Sequence, residues 1–331
     1  MRLGASMRYV ALMTGLTLAA QAFAWGPATH AYLAERATGS TRPGLHFGSI
    51  LPDMNNVVFN KPDVFDAMRT LTHYECNLLP SSCLVLGMIT HNEAWGADWY
   101  SHQHWLNETA EAEALYSTRK IRQIEDEFGL RPDQAEFLFE FAIDYLLRVE
   151  DGPGLGRKLL LGAAEFGPGQ QQQLIDAFAV PLSQRVAGLS IEQAREELRA
   201  AARQYRFAIE VYGTAYLSDE TAAFDMLTSL TAFYLCLDAA TAADGLWFAV
   251  ELCRDDYRAE LDRIAGLLRA DLAVHAPETL QSCAWGCSAP APGTTNAAVD
   301  PVLGAMLALG TLRLAGRRLG RIRRGVNVRS E

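Results

Sequence analysis

From Ser82 onward, apolar residues recur every three to four positions with polar residues between them, the period of amphipathic α-helices. The pattern predicts helical segments over 83–105, 109–128, 132–149, 170–187, 191–214, 219–243 and 245–274. Two starts carry capping signals: Ser190-Ile191-Glu192-Gln193 has the form of a capping box, and Ser218-Asp219-Glu220-Thr221 opens the next run. Gly152-Pro153-Gly154 and Gly167-Pro168-Gly169 interrupt the pattern where turns are expected. Residues 25–75 are richer in Gly, Pro, Asn and Asp and read as short helices between loops. No period-two alternation is sustained, so the expected fold is all-α. A single helical domain over 25–280 is anticipated, with additional helices at 151–280 beyond a first part at 25–150.

The two ends depart from this pattern. Arg2 and Arg8 precede an apolar run from Tyr9 to Ala20, and Ala22-Phe23-Ala24 follows as a small-x-small cleavage signal. Residues 1–24 therefore read as a secretory signal peptide whose removal makes Trp25 the new N-terminus. At the other end, 281–300 reads as a Cys- and Pro-bearing linker. Residues 301–331 combine an apolar stretch, Val302 to Leu312, with an Arg cluster. The stretch is short for a full span, but Arg side chains snorkel. The layout is that of a sorting or anchoring tail, which implies an exported protein at the cell envelope or surface, attached to a membrane surface through its tail, or else secreted. Export permits disulfides. Cys76 with Cys83, Cys236 with Cys253 and Cys283 with Cys287 are the pairings that proximity along the chain suggests, among many connectivities.

Charge sharpens the picture. The chain has 331 residues and a formal net charge of −10, but nine of its 29 basic residues lie in the first 24 and last 31 positions. Residues 25–300 carry 20 basic against 38 acidic side chains. Such a body is poorly suited to tracking a polyanionic backbone, so nucleic acid is a disfavoured partner. Many carboxylates are equally what a cation site requires.

Candidate chemistry concentrates before residue 150. In the stretch Leu84 to Trp105, His91 and Asp98 are two helical turns apart and His102 one turn further, so one continuous helix would present all three on one face. Glu136, Glu140 and Asp144 repeat the four-residue spacing among Phe137, Leu138, Phe139, Phe141 and Ile143. Carboxylates in so apolar a helix are costly unless something offsets their desolvation, as a metal pair would; the alternative is a solvated stripe. Asp53 ends Gly48-Ser49-Ile50-Leu51-Pro52, His73 lies in Thr72-His73-Tyr74-Glu75, and His30 follows Trp25-Gly26-Pro27-Ala28-Thr29. His46 and His275 have no evident partners and read as structural.

Taken in order, Trp25–His30, 48–53, 72–75 and the His91/Asp98/His102 stretch resemble the landmarks of the zinc-dependent phospholipase C family, to which the S1/P1-type nucleases are related in fold. The resemblance covers about 25–150. It implies a multi-helix bundle with a metal cleft holding two or three zinc ions. One metal would take Asp53, His73 and His91; a second would take His102 with Glu136 and Glu140. A third would be bound by the main-chain amine and carbonyl of Trp25 with His30 and Asp98. Asp53 would also orient the attacking water, making it the catalytic candidate. Two departures stand out: Glu136 occupies a position where the family carries His, and His91 and Asp98 are seven apart where four is usual. The expected activity is zinc-dependent hydrolysis of a phosphodiester, foremost a phospholipid. An S1/P1-type nuclease and a surface-anchored binding protein with a degraded metal site are the alternatives.

Overall fold

The computed structural model describes residues 25–106 and 115–285, with backbone alone for 102–106, 284 and 285. The expected signal peptide at 1–24, the expected tail at 301–331, most of the expected linker, Cys287 and the side chains of His102 and His104 lie outside the described residues. The described chain is all-helical, with fourteen α-helices and two 3₁₀ segments. They are α1 (Pro27–Thr38), α2 (Pro43–Gly48), a 3₁₀ segment (Leu51–Val58), α3 (Pro62–Tyr74), a 3₁₀ turn (Cys76–Leu78), α4 (Cys83–His91) and α5 (Ala97–Leu106). The second half follows as α6 (Tyr116–Phe128), α7 (Pro132–Asp151), α8 (Gly154–Glu165), α9 (Pro168–Arg185), α10 (Ile191–Leu217), α11 (Glu220–Tyr234), α12 (Ala239–Cys253), α13 (Tyr257–His275) and α14 (Pro277–Trp285).

Local chemistry sets these boundaries. Proline in the first turn starts α1, α2, α3, α7 and α9, where its missing N–H would have no helical partner. Ser190 and Gln193 close a capping box on α10, and Asp219 and Asp238 cap α11 and α12. Three expectations are corrected. The single helix over 83–105 is two helices, because Asn92 trades helical geometry for a turn: its Oδ1 accepts Ala94 N–H at 2.7 Å and its Nδ2 donates to His73 O at 2.8 Å. The break expected near 244 falls instead at 235–238, where Cys236 adopts a positive φ and Asp238 restarts the helix, and again at 254–256. Between the two Gly-Pro turns lies α8, a helix the sequence pattern did not suggest.

Two helices organise the interior. α7 is buried along most of its length and packs against α1, α6, α11 and α12. α10, the longest, packs against α8, α9 and α11 and also covers the 51–58 segment. α2 crosses α4 at glycine contacts: a Cβ on Gly48 would meet Leu84 O, and one on Gly87 would meet Leu45 O at 2.3 Å. Only a residue without a side chain permits that approach. No single described helix is long and apolar enough to cross a membrane; α11 and α12 are apolar but meet at 117°.

The disulfide also differs from expectation. Cys83 pairs with Cys283, 200 residues away, because α14 returns the chain to the start of α4. Cys76, Cys236 and Cys253 are free. Proximity along the chain misled here because the Cys76 thiol turns toward Thr72 O at 2.9 Å. The helical body therefore continues past residue 280. Closing so long a loop contributes about 5 kcal/mol on a chain-entropy basis. Burial pushes the Cys76 and Cys253 thiols up to about 12, whereas Cys236 is exposed. Non-reducing peptide mapping should recover the 83–283 link. Alkylation of the native protein should label Cys236 and leave Cys76 and Cys253 unmodified until unfolding.

Candidate metal centre

Five segments converge on one interior cluster. α1 supplies His30, the 51–58 segment Asp53, α3 His73, the last residue of α4 His91, and the first turn of α5 Asp98. All five are buried. His91 Nε2 lies 2.9 Å from Asp98 Oδ2 and 3.7 Å from Asp53 Oδ1. His73 Nε2 is 3.8 Å from both of these carboxylates, and His30 Nε2 is 3.3 Å from Asp98 Oδ1. The His30 and His91 rings stack at 4.0 Å. Two groupings bring donor atoms within 4.8 Å of one another: His30, Asp53 and His91, and His73, His91 and Asp98. These buried His/Asp groupings could hold metal ions, and they share His91 rather than following the partition that the resemblance implies.

The geometry behind the cluster differs from a single helix face. His91 and Asp98 meet because the turn after Asn92 folds α5 back toward α4. Backbone carbonyls orient the rings: His91 Nδ1 lies 2.7 Å from Ser49 O, and His73 Nδ1 lies 3.0 Å from Arg69 O. Anchoring each ring through Nδ1 leaves Nε2 facing the cluster, the arrangement that metal-ligating imidazoles adopt. The glycine crossing of α2 and α4 allows the first of these contacts. Trp25 is buried against Phe139, and its indole N–H donates to Ala97 O at 3.1 Å, tying the chain before α1 to the residue next to Asp98. His102 lies on the α5 backbone, with its side chain outside the described residues.

The three carboxylates of α7 have different fates. Glu136, Glu140 and Asp144 are fully buried, so the solvated-stripe alternative is wrong. Asp144 is satisfied by protein: it accepts from Thr29 N–H at 2.8 Å, Thr29 O–H at 2.7 Å, Ala28 N–H at 3.3 Å and Tyr212 O–H at 2.5 Å. It caps α1 from another helix. A Cβ on Gly26 would strike its carboxylate, so glycine is required there. Glu140 is the opposite case, for neither of its oxygens has a hydrogen-bond partner. Burial first, then Glu136, Asp53, Asp144 and Asp98, push its carboxyl far above the ordinary value. A cation beside it would offset that penalty. With one, it is a ligand whose two oxygens are free to bind.

The residue missed in the sequence is Glu93. It lies in the turn between α4 and α5, 3.6 Å from His73 Nε2, and is gripped by Arg69 at 2.7 Å and Tyr74 at 2.6 Å. On one continuous helix it would face away from His91; the break at Asn92 brings it to the cluster. His46 and His275 are structural as expected, one 2.7 Å from Glu35 and the other stacked on Trp95.

Protonation follows from these surroundings. Burial, and then the nearby His91, lower His73 to about 4, so its ring is neutral. Burial alone would lower His91 too, but Asp98 and Asp53 outweigh it and raise it to about 9. No family model, no curated protein and no solved structure matches the chain.

Two outcomes test the centre. In the metal-free protein, the raised His91 contributes stability that is full below the unfolded value of 6.5 and lost as pH rises through about 9. Ligation needs the neutral ring, so zinc must displace that proton. Chelator competition should show affinity climbing with pH, by roughly tenfold per unit, and levelling near pH 9. Glu140→Gln removes the charge that burial penalises while keeping the side chain's shape. It should leave the melting temperature of the metal-free protein unchanged or raised while reducing bound metal, as read by elemental analysis.

Proposed function

We propose that this chain is an exported, zinc-dependent phosphodiester hydrolase of phospholipase C type. The observation that carries the reading is the convergence of three imidazoles with Asp53 and Asp98, while a partnerless, fully buried Glu140 lies within electrostatic reach of both carboxylates. A mixed nitrogen and oxygen donor set suits zinc. Bound there, zinc would supply a water acidified to near neutrality and charge to hold phosphoryl oxygens. The protein's own groups do the rest. His30, His73 and His91 would hold the metal through Nε2; Asp98 bridges His30 and His91; Asp53, steadied by Asn56 at 3.4 Å, would orient a water and accept its proton. Glu93 steadies His73 at 3.6 Å from its Nε2. Trp25, with an amine freed by cleavage after Ala24, remains the proposed ligand at the chain's start, with His102 and Glu136 completing the second site.

Export is supported by the Cys83–Cys283 disulfide, which suits an oxidising compartment. In this reading the C-terminal tail attaches the enzyme to the membrane surface where lipid substrate lies.

The full chain, expressed through an export pathway, should carry two or three zinc ions and hydrolyse a phospholipid or a chromogenic phosphodiester. Asp53→Asn should cut turnover by roughly a hundredfold or more. A panel that includes single-stranded DNA separates the lipase reading from the nuclease one. A correctly folded protein without stoichiometric metal would leave the binding-protein alternative instead.

A further inference from the structure

The second half of the chain carries none of the motifs on which the resemblance rests, yet α10 reaches the cluster. It packs directly over the 51–58 segment that holds Asp53, and also against α11. Three tyrosines lie on its buried face: Tyr205, Tyr212 and Tyr216. Two are spoken for, since Tyr212 donates to the Asp144 carboxylate and Tyr216 to the Asp144 carbonyl. Tyr205 is only 5% exposed and makes no hydrogen bond among the described residues. Its hydroxyl is not among the fully buried unpartnered atoms, so it keeps access to water that a ligand oxygen could replace. Tyr205 is also within electrostatic reach of both Asp53 and Asp98. Its donor is therefore unused beside the cluster.

Among the described side chains of the cluster, free donors are scarce. Its carboxylates only accept when ionised, and the Nδ1 atoms of His73 and His91 are turned to backbone carbonyls. Asn56 is committed to Asp53, and Arg69 and Tyr74 to Glu93. A phosphodiester entering this acidic setting brings non-bridging oxygens that need hydrogen-bond donors as charge grows on them. Resting on the hydrolase reading above, we propose that Tyr205 is a substrate-contacting residue whose phenol O–H donates to a non-bridging phosphoryl oxygen of the diester. α10 thereby forms the wall of the substrate site opposite the metal ligands of the first half. A phenylalanine would fill the same space, so packing alone does not account for the hydroxyl.

The test uses the full exported chain loaded with zinc, with inorganic phosphate as the calorimetric probe and bis(p-nitrophenyl) phosphate for turnover. Tyr205→Phe should keep the metal stoichiometry and melting temperature of the parent. Its phosphate affinity and its kcat/KM should each fall by roughly tenfold to a hundredfold. Unchanged phosphate affinity in the variant would overturn the role of Tyr205 and leave the hydrolase reading intact. Loss of zinc or of thermal stability would assign the hydroxyl a structural role and overturn it equally. A parent protein that holds no zinc, or holds zinc and binds no phosphate, overturns both.

Discussion

A carboxylate removed from water must be given something in return, and that constraint governs how this protein is built. α7 carries three such groups into a helix buried on nearly every side. Asp144 receives four hydrogen bonds and becomes the cap of α1. Glu140, one turn earlier, receives none. The two residues differ in position by a single turn, yet one is completed by protein and the other is left for a cation or a proton. Asp53 and Asp98 share the second situation in part, each facing imidazoles that compensate their charge. The same low-polarity surroundings that penalise a bare carboxylate strengthen its hold on a positive ion.

The rest of the first half serves to bring ligands to that point without distorting them. Glycines at 48 and 87 let α2 and α4 touch backbone to backbone, which places Ser49 O against the His91 ring. Asn92 ends α4 and turns the chain so that Asp98 returns to His91, and the turn carries Glu93 to His73. Asp144 holds the start of α1, and with it His30, against α7. Each ligand is thus positioned by an element whose own geometry is settled by packing or backbone hydrogen bonds, the condition for a preorganised site. The disulfide between Cys83 and Cys283 acts on the same region, pinning the start of α4 to the last described helix.

The second half has a different relation to the cluster. α8 and α9 buttress α10, whose buried face presents Tyr212 to Asp144 and Tyr205 toward Asp53. The helices beyond residue 151 therefore do more than add a layer, since one of them braces the capping carboxylate and overlooks the ligands. This division, with the candidate metal donors in the first half and an α10 wall from the second, gives the proposed hydrolase a physical layout.

By itself, the sequence determined that the described chain is helical, where α10 and α11 begin, and which residue types could bind a cation. The 3.6-residue period and the caps at Ser190 and Asp219 are local signals, complete within a few residues, and for that reason legible. His30, Asp53, His73, His91 and Asp98 were visible as candidates, and the structure brings them together. Tertiary structure alone decided how they meet. Asn92 breaks the helix by bonding to His73 O, a partner 19 residues away, so the apparent His91–Asp98 face was an accident of spacing. Glu93 entered the cluster through that break. Asp144 and Glu140 parted because Thr29 and Tyr212 reach one of them and not the other. The partner of Cys83 lay 200 residues off, where no nearby cysteine pointed. Each of these outcomes depends on a contact between segments distant along the chain, and such contacts leave no period in the sequence from which to read them.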